Sequence, residues 1–196
     1  MRIAFAILLF WTWPILAQGY IGIWNVPNPS ESPNDCCSEL IPFEPLTLYI
    51  VAYLDTVFDE GVRGAQFKIQ NWPGSTYPDG LVTIITDAHT VNGDIDQDIT
   101  LIFVETIPGP WALLASLQFV QFEPNWIGYD HKLTIAEGDD CDCLDIVGAS
   151  LDGQTIRGYS AEGGAFLINP WALECSCEWS FVASTPLNWT LFKSLY

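Results

Sequence analysis

Six cysteines fall in three close doublets, Cys36-Cys37, Cys141-Asp142-Cys143 and Cys175-Ser176-Cys177. Thiols in that number form bridges, bind metal or exchange electrons. A zinc site built from Cys141, Cys143, Cys175 and Cys177 would use Cys-x-Cys pairs where zinc knuckles use wider spacings. No Cys-x-x-Cys redox pair is present. Adjacent cysteines, and cysteines two apart on a strand, are poorly placed to bond each other. Of the 15 pairings that six cysteines allow, those without a bond inside a doublet all join each doublet once to each of the others. The expectation is three structural disulfides of that kind, with the choice among the inter-doublet pairings open. A bridge from the first doublet to the second closes a loop of about 105 residues, worth roughly 4–5 kcal/mol in the chain-entropy model.

The sharpest acidic cluster is Asn92-Gly-Asp-Ile-Asp-Gln-Asp98. Asp94, Asp96 and Asp98 alternate, and Glu105 falls twelfth counting from Asp94, which is the carboxylate spacing of a calcium loop. The sixth position is Ile99 instead of glycine, and Ile99–Val104 reads as a strand, so a solvated turn feeding a strand is the competing expectation. Calcium at Asp94, Asp96 and Asp98 is the one candidate cofactor. Trp72, Trp111 and Trp126 sit in or beside Pro- and Gly-containing stretches. Exposed rings there would stack on sugars; the alternative is that they fill the core, as tryptophan commonly does in sandwiches. Catalytic material is thin. His89 and His131 are the only histidines, and neither H-E-x-x-H nor a G-x-S-x-G elbow occurs. Two carboxylates suffice for a glycosidase, yet no motif singles out a pair. The chain reads as non-enzymatic.

The chain opens with Arg2, an apolar run from Ile3 to Leu16 broken by Pro14, and Ala17-Gln18. This is the layout of a signal peptide over residues 1–17, leaving residues 18–196 as a single disulfide-stabilised domain. Export to a secreted or periplasmic setting favours disulfides. No later run approaches the ~18 apolar residues of a membrane span, so no membrane insertion is expected after cleavage. With 24 acidic against 6 basic residues the formal charge is −18. Such a surface repels phosphate backbones and anionic lipid, which argues against nucleic acid as a partner. Hydrophobic residues at 49% exclude intrinsic disorder.

The elements that must hold these residues are strands. Val62–Gln70 alternates, with Ala65, Phe67 and Ile69 on one face and Gln66, Lys68 and Gln70 on the other. Leu46–Leu54, Leu81–Thr86, Ile99–Val104 and Leu113–Phe122 are apolar on both faces and bounded by Pro, Gly or Asp. Shorter strands are expected at Tyr20–Trp24, Lys132–Ala136, Leu144–Ala149, Thr155–Tyr159, Ala165–Asn169 and Glu178–Val182, with Asp152-Gly153 as a hairpin signal. A short C-terminal helix is expected from Thr185, with Pro186 in its first turn. Ten or so strands with little helical periodicity predict an all-β fold, an antiparallel β-sandwich.

Gly61-Val-Arg-Gly-Ala-Gln-Phe-Lys-Ile-Gln70 after the Leu46–Leu54 strand resembles the early strands of cohesin-like, Ig-like sandwich modules over the first third of the mature chain. The ending Trp189-Thr-Leu-Phe-Lys-Ser-Leu-Tyr196, with Gly163-Gly164 before Ala165–Asn169, is similar to small uncharacterised secreted bacterial proteins. The first resemblance implies protein–protein binding on a sheet face; neither supplies catalytic residues. The resulting expectation is a secreted structural or interaction module with a protein or glycan partner outside the cell. A carbohydrate-binding module is the alternative, and a secreted hydrolase the next.

Overall fold

The computed structural model describes residues 19–29, 36–54, 60–74, 78–139, 143–150 and 156–171. The signal region, Cys141, Cys175, Cys177, the Asp152-Gly153 turn, the Glu178–Val182 strand and the C-terminal helix lie outside the described residues.

Twelve strands follow in chain order: β1 (Gly19–Trp24), β2 (Cys37–Ser38), β3 (Leu46–Leu54), β4 (Glu60–Gln70), β5 (Gly80–Ile85), β6 (Thr90–Asp94), β7 (Asp98–Ile107), β8 (Trp111–Gln121), β9 (His131–Ala136), β10 (Asp145–Ser150), β11 (Ile156–Gly163) and β12 (Ala165–Ile168). No helix occurs among the described residues. The fold is all-β, a sandwich with mostly antiparallel pairing. One sheet runs β5-β8-β3-β1; the other runs β6-β7-β4-β10-β11. Toward its C-terminal end β4 pairs with β9, which continues through β12 to β2.

The core is the set of inward residues that the period-two pattern selects. Leu48, Ile50, Ala52 and Leu54 of β3 and Leu117 and Phe119 of β8 face Ala65, Phe67 and Ile69 of β4 and Ile99, Leu101 and Phe103 of β7 across one continuous apolar cluster. Phe67, Phe119 and Phe166 are its largest buried rings after Trp24, which lies in a separate cluster.

Two pairings are parallel, β1 with β11 and β2 with β12, and the rest are antiparallel. The β1–β11 pair arises because β11 serves both layers. Residues 156–160 pair with β10, and Ala161–Gly163 then pair with Gly19–Ile21 of the opposite sheet. Gly163 and Gly164 mark that crossing. A β-carbon on Gly163 would lie 2.0 Å from the Ile135 carbonyl oxygen, while Gly164 N–H donates to Ile21 O at 2.8 Å. One flank of the sandwich is thereby joined by hydrogen bonds. The other flank ends in β5 on one sheet and β6 on the other, each paired on a single side among the described strands.

Candidate functional site: an uncharged sheet face and an edge cleft

Charge is sorted between the two sheets. The strands β1, β3, β5 and β8 contain no Asp, Glu, Lys, Arg or His at any position. Their counterparts carry Arg63 and Lys68 on β4, Asp94 on β6, Asp98 and Glu105 on β7, and Asp145 on β10. A strand's inward half needs to be apolar, but its outward half faces water and is normally polar or charged. In a chain of formal charge −18, a whole sheet without charge on its outer surface is a departure from that rule.

Register defines this outer surface. Thr47, Tyr49, Val51 and Tyr53 of β3 lie opposite Gln118, Ser116, Leu113 and Trp111 of β8. Across the next ladder Leu81, Thr83 and Ile85 of β5 lie opposite Val120, Gln118 and Ser116. On the far side Tyr20, Gly22 and Trp24 of β1 lie opposite Tyr53, Val51 and Tyr49. A bulge in β8 beside Ile50/Val51 leaves Leu114 unpaired in the ladder and keeps both Leu113 and Trp111 on the outside. Leu81, Ile85 and Leu113 are 44%, 52% and 41% exposed. The β1 side is different. Tyr20, Trp24 and Val51 are buried in a second cluster that Tyr49, Tyr53 and Trp111 join from its edge. Trp111 packs 4.6 Å from Tyr53 and meets Trp24 edge-on at 5.8 Å. The face therefore grades from an aromatic corner to an open uncharged strip on β8 and β5, where Leu81, Ile85 and Leu113 are interspersed with Thr83, Gln118 and Ser116. From strand spacing and rise its area is roughly 300–400 Å².

On the open flank, between the outer strands β5 and β6, lies a cleft of about 490 Å³. Trp72, Val82, Ile84, Val91, Ile95 and Ile99 line it, with Asp94 and Asp96 among the remaining lining residues.

The three tryptophans singled out in the sequence are not brought together. Trp111 lies on the uncharged face; Trp72 lines the cleft and packs against Phe119 at 5.9 Å; Trp126 is folded over Gly80. The most exposed aromatic pair is one the sequence did not single out, Tyr129 and Trp171, set perpendicular at 5.1 Å. It is held by Asp130, whose carboxylate accepts from the Trp171 N–H at 2.8 Å. The acidic trio is divided in its contacts. Asp94 and Asp98 face each other across a β6–β7 hairpin, and both Asp98 carboxylate oxygens accept from Gln66 Nε2 at 3.0 and 3.1 Å. Asp94 and Asp96 are exposed and form no ion pair among the described residues. Among the described residues no three His, Cys, Asp or Glu side chains gather as a metal-holding group. Lys68 pairs instead with Asp139. Cys36, Cys37 and Cys143 are each disulfide-bonded, and no described cysteine is free. His131 Nε2 sits 2.7 Å from the Asn71 carbonyl oxygen, on a different strand from any residue of the cleft, and His89 is exposed.

No protein-family model matches the chain, and no curated protein does. Among solved structures the chain is similar to cohesin modules. The seventh ScaB type I cohesin from Pseudobacteroides cellulosolvens is 11% identical, with 81% of this chain and 97% of that one covered at a TM-score of 0.42. A type I cohesin–dockerin complex from Clostridium thermocellum gives 13% identity, coverage of 77% and 99%, and a TM-score of 0.42. The non-cellulosomal cohesin of Archaeoglobus fulgidus gives 9% identity, coverage of 78% and 91%, and a TM-score of 0.40. Likeness at this level carries no residue roles across.

Proposed function

We propose that this protein is a secreted, non-enzymatic interaction module that docks a protein partner on the outer face of β5, β8 and β3. One observation carries the reading: four strands without a charged residue, in a strongly acidic chain, present Leu81, Ile85 and Leu113 to solvent. Interface cores are depleted of charge and enriched in aromatic residues, and the largest apolar patch on a protein surface, about 300–600 Å², is often functional. The face supplies about half of the ~800 Å² per partner of a standard interface, so the partner also reaches flanking loops. The secreted setting rests on the N-terminal pattern of residues 1–17, and three inter-doublet disulfides are part of the same proposal.

A sugar-binding reading is less well supported. The exposed rings of Tyr129 and Trp171 stand at 84°, so they offer no flat platform for a sugar chain. For hydrolase chemistry, the two carboxylates of the cleft, Asp94 and Asp96, carry no hydrogen bond among the described residues that orients them as a pair.

The test is capture from the culture medium of the source organism, followed by titration of the purified partner. Wild-type protein is expected to bind it, and Leu81→Glu with Ile85→Glu to weaken binding by at least about tenfold. A partner bound equally by both forms would refute the assignment to this face.

A further inference from the structure

The cleft between β5 and β6 has a composition of its own. Val82, Ile95 and Ile99 form a buried apolar floor, while Ile84 and Val91 are more exposed. Trp72 also lines the cleft, and its ring is braced edge-on against Phe119. The volume of about 490 Å³ falls within the size range of ligand sites; the lining is mixed, apolar and polar, and open to solvent. Here the charged lining groups are Asp94 and Asp96. Neither is neutralised by a described cation, whereas Asp139 has Lys68 and Asp98 has the Gln66 amide.

The lining follows two chain segments, Val82 to Thr86 and Val91 to Asp96. The first spans about 13–17 Å at strand rise, the length of an extended peptide of roughly five residues; in the second, Val91–Asp94 belong to β6 and Ile95 and Asp96 to the turn that follows it. The walls ask for apolar side chains and the two carboxylates for positive charge. The formal charge of −18 would steer a cationic segment toward the molecule and hold an acidic one away.

We propose that this cleft is a second binding site, separate from the uncharged sheet face, and that its ligand is an extended peptide segment in which apolar residues alternate with Lys or Arg. The apolar side chains enter between β5 and β6 against Trp72, Ile84 and Val91. The cationic side chains leave the opposite face of the extended peptide, and their long stems bend over the rim to the exposed carboxylates of Asp94 and Asp96.

The test uses the full chain and a fluorescently labelled peptide of about six residues alternating Leu and Lys. Two control peptides replace Lys with Glu or Leu with Ser. The Leu–Lys peptide is expected to bind saturably in the micromolar range and both controls at least about tenfold more weakly. Asp94→Asn with Asp96→Asn alters only exposed side chains; it is expected to weaken binding roughly three- to tenfold at low salt and to flatten the salt dependence. Val91→Trp fills the cleft from a half-exposed edge position and is expected to abolish binding, with circular dichroism unchanged. Leu81→Glu with Ile85→Glu leaves peptide binding intact, which separates this site from the sheet face. Absence of saturable binding, equal binding of the Glu peptide, or undiminished binding by both cleft variants would each overturn the proposal.

Discussion

Asn169 shows how much of the molecule's end is fixed by one side chain. Its Oδ1 accepts from the Leu40 N–H at 2.7 Å and its Nδ2 donates to the Ile127 carbonyl at 2.8 Å. Its own N–H donates to Ser38 O and its carbonyl accepts from Asp130 N. Its φ of 54° is a left-handed conformation that asparagine tolerates better than most residues. Asn169→Ala therefore leaves two part-buried main-chain groups unmatched and adds backbone strain. We expect a loss of about 2–4 kcal/mol in urea denaturation. Asp98 gives a second prediction at this scale. Because Gln66 holds both of its carboxylate oxygens, a calcium titration followed by calorimetry is expected to show no stoichiometric uptake. One equivalent of bound calcium would support the reading of Asp94, Asp96 and Asp98 as ligands.

Among the elements, β5 and β8 combine two roles on opposite faces. Inward, Val82, Leu117 and Phe119 belong to the core; outward, Leu81, Ile85 and Leu113 meet solvent. Substitutions on the two faces should separate cleanly. Ile85→Glu is expected to change stability by no more than about 0.5 kcal/mol, as for an ordinary surface change. Phe119→Ala is expected to cost about 3–5 kcal/mol through lost burial and the cavity it leaves. Thermal or urea unfolding of the two variants measures the contrast. A large loss for Ile85→Glu would make the outer strip a structural surface and weaken its assignment as a docking face.

The whole molecule is an uneven sandwich, one sheet bearing charge and the other none. Excess negative charge repels itself, and salt screens that repulsion. Raising ionic strength from about 0.01 to 0.15 M shortens the Debye length from ~30 to ~8 Å. The midpoint of thermal unfolding is accordingly expected to rise by a few degrees, and a fall would show that attractive pairs such as Lys68–Asp139 dominate. The bridges act on the same scale. Each disulfide removed is expected to cost about 2–5 kcal/mol, near 6–15 °C for a domain of this size, so unfolding with and without reductant measures their share.

Period-two alternation and apolar runs were enough to locate β1, β3, β4, β5, β7, β8, β9, β10, β11 and β12, because burial of alternate side chains writes itself into local sequence. β6 and β2 escaped notice. All five β6 residues are exposed, so no hydrophobic pattern marks it, and the two-residue β2 is too short to carry one. The absence of charge from residues 19–24, 46–54, 80–85 and 111–121 was present in the sequence too, but its meaning was not, since each run alone looks like an ordinary buried strand. Only the fold places those four runs side by side in one sheet and turns half of their residues to water. The cleft was still less legible. Trp72, Ile84, Val91 and Asp94 lie within one short stretch of chain, yet they line a cleft only because that stretch crosses between the two sheets, which are joined on the β1–β11 flank and end in β5 and β6 on the other. Which edges stay apart is decided by long-range pairing, and no local stretch of residues encodes it.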